Sequence, residues 1–244
     1  MKIEILFEDS HLIIVNKPNN LLIHNSYYAR NIKEPTLLEI LKVQLNMDFY
    51  PVHRLDRKTS GVLVLAKHKN EVAIFQELFT ANEIQKTYFG IVRGFVENQV
   101  LITSPVKNPD TQVYKNAETN CEPLNTKILD IPVHPYKNSR YSLVKLTPST
   151  GRMHQLRIHM NKISHPIVGD YKYGDRFHNR MFEQEFNCNN LFLHAQKLNF
   201  IHPITTTKIA ITAIFPEDWT KIFNIFNWIF EKEKPFLNLN SQFK

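Results

Sequence analysis

The sequence predicts an α+β protein that folds as a single compact domain. Short apolar or alternating segments bounded by turn residues outnumber the segments with helical spacing. The 244 residues are enough to bury a sizeable core, and no internal repeat or low-complexity linker divides them. We therefore expect one domain over residues 1–232, followed by a polar tail over 233–244.

Composition and charge favour a soluble protein with a polyanionic partner. The chain is 43% hydrophobic and 22% charged, which is ordinary for a globular protein. Its net charge of +7 makes nucleic acid the first candidate partner. The N-terminus has acidic residues where a signal peptide needs an apolar core, and no apolar run reaches membrane length. We expect a cytoplasmic protein.

The cysteines and histidines do not form a metal-binding pattern. Cys121 and Cys188 stand alone without a C-x-x-C motif, which argues against a disulfide framework and a zinc site. His154 and His159 are five residues apart, not four, and no carboxylate follows at metalloprotease spacing. The sequence also lacks a nucleotide-binding loop, so we expect neither a metal nor a cofactor.

Two kinds of pattern predict the elements of the N-terminal half. Strands are expected where apolar and β-branched residues run together between turn residues, as in Val62–Ala66. Helices are expected where apolar residues recur at helical spacing, and Thr36 with Glu39 forms a capping box at the start of one. In order, the patterns predict strands at 3–7 and 12–15, a helix from 36 to about 45, a strand at 62–66, a helix at 70–82 and a strand at 85–92.

The C-terminal half follows the same rules, except that prolines and turn residues between 99 and 140 leave one predicted strand near Thr126–Leu129. Apolar residues from Met153 to Ile163 recur at helical spacing, which predicts a helix over 151–163. Pro216 begins a final helix with acidic residues in its first turn. The remaining predictions are strands at 141–146, 191–200 and 208–215, and an apolar face from Trp219 to Phe230 on the last helix.

The segment from Pro51 to Lys67 joins a strongly charged half to a predicted buried strand. Its first half crowds cations around Asp56. Gly61 stands at the join, where a sharp turn or a close approach to a ligand needs a residue without a Cβ. A charged turn with a local ion pair would account for Asp56 beside Arg57, but not for the whole string. The segment therefore indicates a functional site.

The string HRLDRKTSGVLVLAK resembles the signature of the RluA-type pseudouridine synthases, in which its Asp is catalytic. The resemblance spans about residues 3–230 and implies a central, mostly antiparallel mixed sheet with flanking helices and a cleft across it. The short stretch before Phe7 leaves no room for the N-terminal S4 module of some relatives. Asn19-Asn20 replaces the usual glycine-bearing pair, but Asn tolerates positive φ, so the turn can survive. Four further strings occur in the family's order, at 16–18, 86–88, 150–157 and 191–195.

The resemblance also assigns the catalytic roles. Isomerising uridine requires a carboxylate, a cation that keeps this carboxylate ionised, and a surface for the detached base. These are Asp56, Arg157 and Tyr88 respectively. On local pattern alone, Tyr88 could be a core tyrosine and Arg157 a solvated helix arginine. The sequence leaves open whether Asp56 attacks the uracil ring or the ribose.

Further residues are expected to contact the substrate. By resemblance, Arg54 takes the place of the flipped base, and Leu193 packs in the uracil pocket. Arg54 could instead contact phosphate or backbone, and Leu193 could be an ordinary core leucine. The other substrate-binding candidates are His53, Thr59, Arg152, His154, Arg176, His178, Asn179 and Arg180.

Two segments bear on the choice of RNA. Gly174–Arg180 is predicted to be a polar, cationic loop suited to phosphates and 2′-hydroxyls, although a solvated surface loop has the same pattern. With Ser26–Arg30, it resembles the tRNA pseudouridine synthase C branch of the family. That branch modifies uridine 65 of tRNA, where the T and acceptor stems meet. The resemblance therefore implies a tRNA substrate.

Three other functions fit parts of the sequence. A ribosomal-RNA pseudouridine synthase would share the fold and the catalytic residues. A catalytically silent RNA-binding or RNA-folding protein would use the same cleft, but the joint presence of Asp56, Tyr88 and Arg157 argues against it. A glycosidase would usually need a second carboxylate near a motif, which is missing. We expect a monomeric isomerase whose partner is RNA, tRNA first.

Overall fold

The structure is a computed structural model of the chain, and it describes residues 1–25, 33–108 and 111–228. Its architecture is a ten-stranded sheet with helices packed on both faces. This confirms the predicted α+β fold around a mostly antiparallel mixed sheet. The Ser26–Arg30 motif, the end of the last predicted helix face and the polar tail lie outside the described residues.

The helices and strands agree with most sequence predictions to within about three residues at each end. The helices are α1 (Leu37–Leu45), α2 (Val72–Thr80), α3 (Gln155–Lys162), α4 (Arg176–Phe186) and α5 (Glu217–Phe226), and a 3-10 turn (Lys69–Glu71) precedes α2. The strands are β1 (Glu4–Glu8), β2 (Leu12–Lys17), β3 (Tyr50–Pro51), β4 (Ser60–Ala66), β5 (Gln85–Arg93), β6 (Val100–Ile102), β7 (Val106–Lys107), β8 (Tyr114–Lys115), β9 (Thr119–Leu129), β10 (Ser139–Pro148), β11 (Leu193–Ile201) and β12 (Lys208–Thr212).

Strand β11, which comes late in the sequence, joins the two parts of the sheet. The spatial order of the sheet is β1-β2-β4-β11-β5-β10-β9-β6, with β12 on β11 and β3 on β4, while β7 and β8 form a separate hairpin. The described pairings are antiparallel except the short one between β4 and β11. Strand β11 therefore lies between the strand that follows the charged segment and the strand that carries Tyr88.

Strand β4 is buried on both faces, which explains its unbroken apolar run. Val62 and Val64 pack with α2 in one hydrophobic cluster, while Leu63 and Leu65 pack with α1 in another. A strand covered on both sides needs apolar residues at every position. The Thr36–Glu39 capping box is confirmed at the start of α1, with both of its hydrogen bonds formed.

The second half of the sheet is covered in the same way. Leu156 and Met160 of α3 pack on one face of β10, while α4 and α5 cover the other face with an aromatic cluster around Phe182 and Trp219. Tyr141 points into that aromatic cluster. Helices on both faces fix the ends of β5, β10 and β11 relative to one another. Among the described residues, no helix is both long and apolar enough to cross a membrane.

Gly61 is where β4 approaches β11 most closely. Its φ is +113°, and a Cβ placed there would lie 2.1 Å from the backbone oxygen of Ala195. A close approach is therefore present at Gly61, but it is to another strand and not to a ligand. Because any side chain would push the two strands apart, this position requires glycine.

The region between 99 and 140 contains more structure than the sequence predicted. Strand β9 has 11 residues and pairs along β10, and β6 pairs with β9 at the edge of the sheet. Pro123 lies where the β9–β10 register shifts, which is how a strand accommodates a proline. The first half of β9, Thr119–Pro123, contains Asn120, Glu122 and Pro123 and so lacks an apolar strand pattern, although none of its residues is exposed. For this reason only its last residues were recognisable as a strand.

His194 lies fully buried beside the parallel pairing of β4 and β11. Its Nδ1 is 2.8 Å from Ser60 Oγ, and its ring lies beside those of Phe215 and Trp219. Burial lowers the pKa of His194 to about 3. An unfolded chain takes up this proton near pH 6.5. The stability that neutral His194 contributes is therefore complete above that pH and is lost as the pH falls toward 3.

We expect the free energy of unfolding to decrease below pH 6.5, with His194 contributing up to about 1.4 kcal/mol per pH unit. His194→Asn should flatten this part of the pH profile because it removes a titrating group. Urea unfolding between pH 4.5 and 8 measures the slope. His24→Asn is the control, since His24 is exposed. An unaltered slope in His194→Asn would contradict the assignment.

Candidate active site

A cleft of about 140 Å³ opens where the charged segment after β3 meets β5, β11 and the turn before α3. Residues from distant parts of the chain line it because β11 brings β4 and β5 together. Eight of the predicted site residues are among the lining residues: Arg54, Asp56, Thr59, Tyr88, Arg152, His154, Arg157 and Leu193.

The loop that carries Asp56 is tied down from below by Lys17. The Lys17 ammonium is fully buried and donates to the backbone oxygens of Pro18, Leu21 and Arg57 at 2.8, 3.0 and 2.9 Å. Burial lowers the pKa of Lys17 to about 7, while the charge of Asp56 acts to raise it. Three donated hydrogen bonds fit the protonated form of Lys17, since an ammonium has three N–H donors. Lys17 therefore fastens the Asp56 loop to the turn after β2.

That turn keeps its shape without the glycine of related sequences. Asn20 has a φ of 60°, in the left-handed region that Asn tolerates, as predicted. The Asn19 side chain donates to the backbone oxygen of Lys58 at 2.7 Å, which adds a second tie to the Asp56 loop. The asparagine pair thus supplies both the turn and a contact.

Arg157 reaches Asp56 from α3. Its Nη1 donates to Asp56 Oδ2 at 3.0 Å. The other edge of the guanidinium makes two hydrogen bonds to Asp170, from Nε to Oδ2 at 2.7 Å and from Nη2 to Oδ1 at 2.8 Å. Arg157 thus bridges two carboxylates, and it holds Asp170 with the stronger bidentate geometry.

The charges of this bridge favour its ionised form. Burial acts to lower the pKa of Arg157, but the hydrogen bonds and charge of Asp170, and then those of Asp56, raise it above the ordinary value. Burial likewise acts to raise the pKa of Asp170, but the hydrogen bond and charge of Arg157 and two backbone N–H groups lower it overall. Arg157 therefore stays protonated and Asp170 stays ionised at neutral pH.

Tyr88 and Leu193 form the apolar part of the cleft. Tyr88 stands on β5, and burial together with the charge of Asp56 raises the pKa of its phenol. Its ring therefore carries no charge at neutral pH. Leu193, on β11, is 3% exposed and lines the cleft while packing in the core. Leu193 is therefore a core leucine that also lines the cleft.

His154 precedes α3 in a left-handed conformation, with a φ of 56°. Its Nδ1 is 3.0 Å from the hydroxyl of Tyr173, and its Nε2 is 3.8 Å from Asp56 Oδ2. Burial lowers the pKa of His154 and outweighs the nearby Asp56, which acts to raise it. The guanidinium of Arg157 lies 5.2 Å from the centre of the Tyr173 ring. His154 and Tyr173 therefore pack around the ion pair.

Three cations stand around the cleft in addition to Arg157. Arg54 is exposed, and no ion pair links it to another described residue. Arg152 donates from Nε to the backbone oxygen of Asn116 at 3.1 Å. Lys86 lies half-buried, and this burial lowers its pKa. The cleft is therefore suited to a polyanion that carries an uncharged base.

A model of the RNA pseudouridylate synthase family matches residues 11–162. The chain belongs to this family. It is similar over most of its length to tRNA pseudouridine synthase C of Haemophilus influenzae, with 38% identity over 236 residues, 93% of this chain and 98% of the relative. The protein of the same name in Vibrio cholerae is 36% identical and covers 93% of this chain and 96% of its own.

Solved structures agree on the fold of this RNA pseudouridylate synthase. The human RNA pseudouridylate synthase domain containing 1 has a TM-score of 0.69 and 24% identity, and covers 88% of this chain and 84% of its own. Its counterpart, domain containing 4, has a TM-score of 0.68 and 23% identity, and covers 92% and 93%. The predicted family, fold and isomerase class are confirmed. The synthase converts uridine in RNA to pseudouridine.

One predicted lining residue of the synthase lies elsewhere. His53 Nε2 accepts the backbone N–H of Val64 at 3.0 Å, and its ring stacks on Phe79 at 4.2 Å. Burial, followed by the nearby charge of Lys86, lowers the pKa of His53 to about 3. Its place in the cleft was predicted wrongly, because a tertiary contact turns the ring toward β4 and α2. In the structure His53 supports the charged segment.

The prediction of a loop over Gly174–Arg180 is also wrong, since α4 begins at Arg176 with Asp175 as its N-cap. The buried apolar side chains that pack α4 into the core belong to residues after Arg180. The start of the helix is mostly polar, so its sequence shows no apolar helical pattern. Arg176 and Arg180 are exposed and available to a partner. His178 and Asn179 are 7% and 4% exposed and bond within the protein, so they are not placed to contact RNA.

The buried polar pair of α4 has clear partners. His178 Nδ1 is 2.6 Å from the hydroxyl of Tyr141. Asn179 Oδ1 accepts the N–H of Gly169 at 2.8 Å, and its Nδ2 donates to the backbone oxygen of Asp170 at 3.0 Å. Asn179 therefore anchors the loop that holds Asp170.

Sequence reasoning missed Lys17, Lys86, Asp170 and Tyr173 as site residues, although they lie in or beside the recognised strings. A signal was present for Asp170, because an acidic residue after the apolar run Ile167-Val168 needs a buried partner. Nothing in the pattern identified that partner as Arg157.

The predicted helix over 151–163 begins only at Gln155. Gln155 Oε1 accepts from the Thr150 hydroxyl at 2.7 Å and from the Arg152 N–H at 3.0 Å, which folds the preceding residues into a turn. This turn presents Arg152 and His154 to the cleft. In a regular helix, the side chains of Arg152 and His154 would point in different directions around the helix axis.

In the described ranges, no group of three or more His, Cys, Asp and Glu could hold a metal ion. The two cysteines are buried and free. Burial raises the pKa of Cys121 to about 12 and that of Cys188 to about 11, so both thiols stay neutral at neutral pH.

Proposed function

We propose that this RNA pseudouridylate synthase modifies tRNA at uridine 65, where the T and acceptor stems meet, and that Asp56 is its nucleophile. The observation that carries the chemistry is the 3.0 Å contact between Asp56 and Arg157 in a cleft walled by Tyr88 and Leu193. The choice of tRNA is supported by relatives named tRNA pseudouridine synthase C that span this chain at 38% and 36% identity.

The reaction exchanges one bond to the ribose for another. The bond between uracil N1 and ribose C1′ breaks, the base turns, and a bond between uracil C5 and C1′ forms. The proton on C5 is lost and N1 gains one, so the atoms balance and nothing is oxidised. Asp56 opens this sequence by attacking the ring or C1′ and is released at its end.

The surrounding residues prepare that attack. Arg157 neutralises the Asp56 carboxylate and directs one of its oxygens, since the guanidinium donates to Oδ2. The uncharged ring of Tyr88 supports the base while it is detached. Leu193 excludes water from one side of the base, which keeps the detached uracil in place.

RNA reaches the cleft along its cationic rim. A uridine in a stem is paired, so flipping it out costs a few kcal/mol that contacts to the RNA backbone must offset. Arg54 is exposed at the opening, where it can occupy the position the base leaves. Thr59, Arg152 and His154 line the cleft and are available to the flipped nucleotide. Arg176 and Arg180 are four residues apart on α4 and share a face, so they can contact phosphates together.

We further propose that residues 1–232 form one catalytic domain and that the protein acts as a monomer in the cytoplasm. The two-sided helical cover leaves the cleft complete within one chain, since all its lining residues belong to the same fold. Light scattering at micromolar concentration checks the monomer.

Mapping of pseudouridine by chemical labelling and sequencing tests the proposal. The protein is expressed in cells that lack endogenous activity, beside Asp56→Ala and the control Asp130→Ala, whose carboxylate is exposed and outside the cleft. We expect a new mark at the T–acceptor junction of some tRNAs with the wild type and the control, and none with Asp56→Ala.

The other outcomes separate the rival functions. Marks confined to ribosomal RNA would retain Asp56 and overturn the choice of tRNA. Binding of RNA with no mark anywhere would indicate a silent RNA-binding protein. A mark that persists in Asp56→Ala would overturn the role of Asp56.

A further inference from the structure

Arg157 has two carboxylate partners, and the proposed reaction uses one of them. Asp170 takes the Nε–Nη2 edge of the guanidinium with two hydrogen bonds, and Asp56 takes the remaining Nη1 with one. The side chain of Asp170 is 1% exposed, against 17% for Asp56. Asp170, the more deeply buried carboxylate, is therefore the one that does not contact the substrate in the proposed reaction. Its negative charge acts on Arg157 instead.

Asp170 is itself held rigidly. The backbone N–H groups of Lys172 and Tyr173 donate to its Oδ1 at 2.9 and 3.1 Å. The amide of Asn179 fixes the main chain on both sides, through the N–H of Gly169 and the oxygen of Asp170. A carboxylate with this many fixed donors cannot follow Arg157 if the guanidinium moves, so it determines where Arg157 stands.

The charges of the three groups change when the reaction begins. Before attack, Asp56, Arg157 and Asp170 carry −1, +1 and −1. When an oxygen of Asp56 forms a bond to carbon, its lone pair enters that bond and the displaced electron pair moves into the uracil. The carboxylate becomes a neutral ester until the oxygen leaves with the pair. During this interval Asp56 no longer neutralises Arg157.

We propose that Asp170 is a positioning residue that keeps Arg157 neutralised and in place while Asp56 is bonded to the substrate. A buried guanidinium without an anionic partner is strongly disfavoured and would draw in water or turn away. With Asp170 present, the Arg157–Asp170 pair stays neutral as a unit, and Nη1 remains aimed at the returning Asp56 oxygen. This inference rests on the proposed nucleophilic role of Asp56.

The test compares Asp170→Asn with Asp175→Asn. Asp175 forms an ion pair with Arg93, at 2.6 Å from Nη1 to Oδ2, which is more exposed than the Arg157–Asp170 pair and lies on the same stretch of chain but away from the cleft. Both substitutions keep the shape of the side chain, remove one arginine–aspartate pair and should lower the melting temperature. The substrate is tRNA from cells lacking the activity, and the assay temperature is below both melting temperatures.

We expect Asp170→Asn to lower kcat about 100-fold, while KM and the Kd for tRNA stay within about threefold of the wild type. Asp175→Asn should keep kcat within about threefold. A purely structural role for Asp170 predicts similar behaviour of the two folded variants. Equal kcat values would therefore overturn the inference, as would a loss confined to KM.

Asn179→Ala is the second variant if Asp170→Asn does not fold. It frees the Asp170 loop without altering any charge, and we expect kcat to fall about tenfold with Kd unchanged. An unchanged kcat would contradict the inference. The Asp56→Ala variant distinguishes failure of this inference from failure of the proposed function. If Asp56→Ala forms product, both proposals are overturned. If Asp56→Ala is inactive and Asp170→Asn is fully active, only the role of Asp170 is overturned.

Discussion

Asp56→Asn is expected to reduce single-turnover pseudouridine formation by a factor of about 10⁴ or more, because an amide cannot replace the attacking carboxylate. The cleft should otherwise persist. Asn has the shape of Asp, and Arg157 keeps its two hydrogen bonds to Asp170. The Kd for tRNA, measured by filter binding, should therefore stay within about threefold of the wild type.

Asp48→Asn serves as the matched control, since Asp48 is an exposed carboxylate paired with Lys42 outside the cleft. Its rate should equal that of the wild type. If Asp56→Asn retained more than about one hundredth of the rate, a nucleophilic Asp56 would be untenable. A large loss of tRNA affinity instead of rate would assign Asp56 to binding.

Gly61→Ala is expected to destabilise the fold by about 3 kcal/mol or more, or to prevent folding. Two costs combine at this position. The backbone has a φ of +113°, which alanine rarely adopts, and the new Cβ would lie 2.1 Å from a backbone oxygen that cannot move without separating β4 from β11. Urea unfolding followed by circular dichroism measures the change.

Gly90→Ala is the control for Gly61→Ala, because Gly90 also lies in the sheet but has no positive φ. A Cβ at Gly90 would make ordinary contacts, with side-chain atoms of Leu146 and Val144 at 3.5 Å as its nearest neighbours. We expect a change within about 1 kcal/mol. Similar destabilisation by both substitutions would show that the close approach at Gly61 is not what demands glycine.

The elements near the site were predictable because their signals are local. The apolar run of β4 reflects burial on both faces, and the capping box at Thr36 and Glu39 is written in four consecutive residues. The need for glycine at position 61 could also be anticipated from its place between charged and buried segments, although the strand that requires it could not. These patterns needed no knowledge of the tertiary fold.

The catalytic constellation required the family resemblance as well. On local pattern alone Arg157 could be a solvated helix arginine, and nothing local connected it with Asp56, which lies 101 residues earlier. Lys17 and Asp170 were not predicted as site residues, because each is recognised only by the partners that the fold brings next to it. Long-range pairs of this kind leave no periodic trace in a sequence.

The two wrong expectations near the site share one cause. His53 and the residues at the start of α4 are polar, and polar residues were taken to face solvent or substrate. The structure satisfies them internally instead, with His53 on the backbone of Val64 and His178 on the hydroxyl of Tyr141. A buried polar residue with a good partner looks the same in sequence as an exposed one.

The central position of β11 has a consequence for how the protein is made. A ribosome releases β4 and β5 well before β11, yet the two can be joined only after β11 has entered between them. Until then, the nascent chain exposes two strand edges that are able to pair with other strands. Leu193 arrives with β11, so this wall of the cleft is completed only after β11 has been released. A chain that has not yet released β11 therefore holds Asp56 and Tyr88 without the complete cleft.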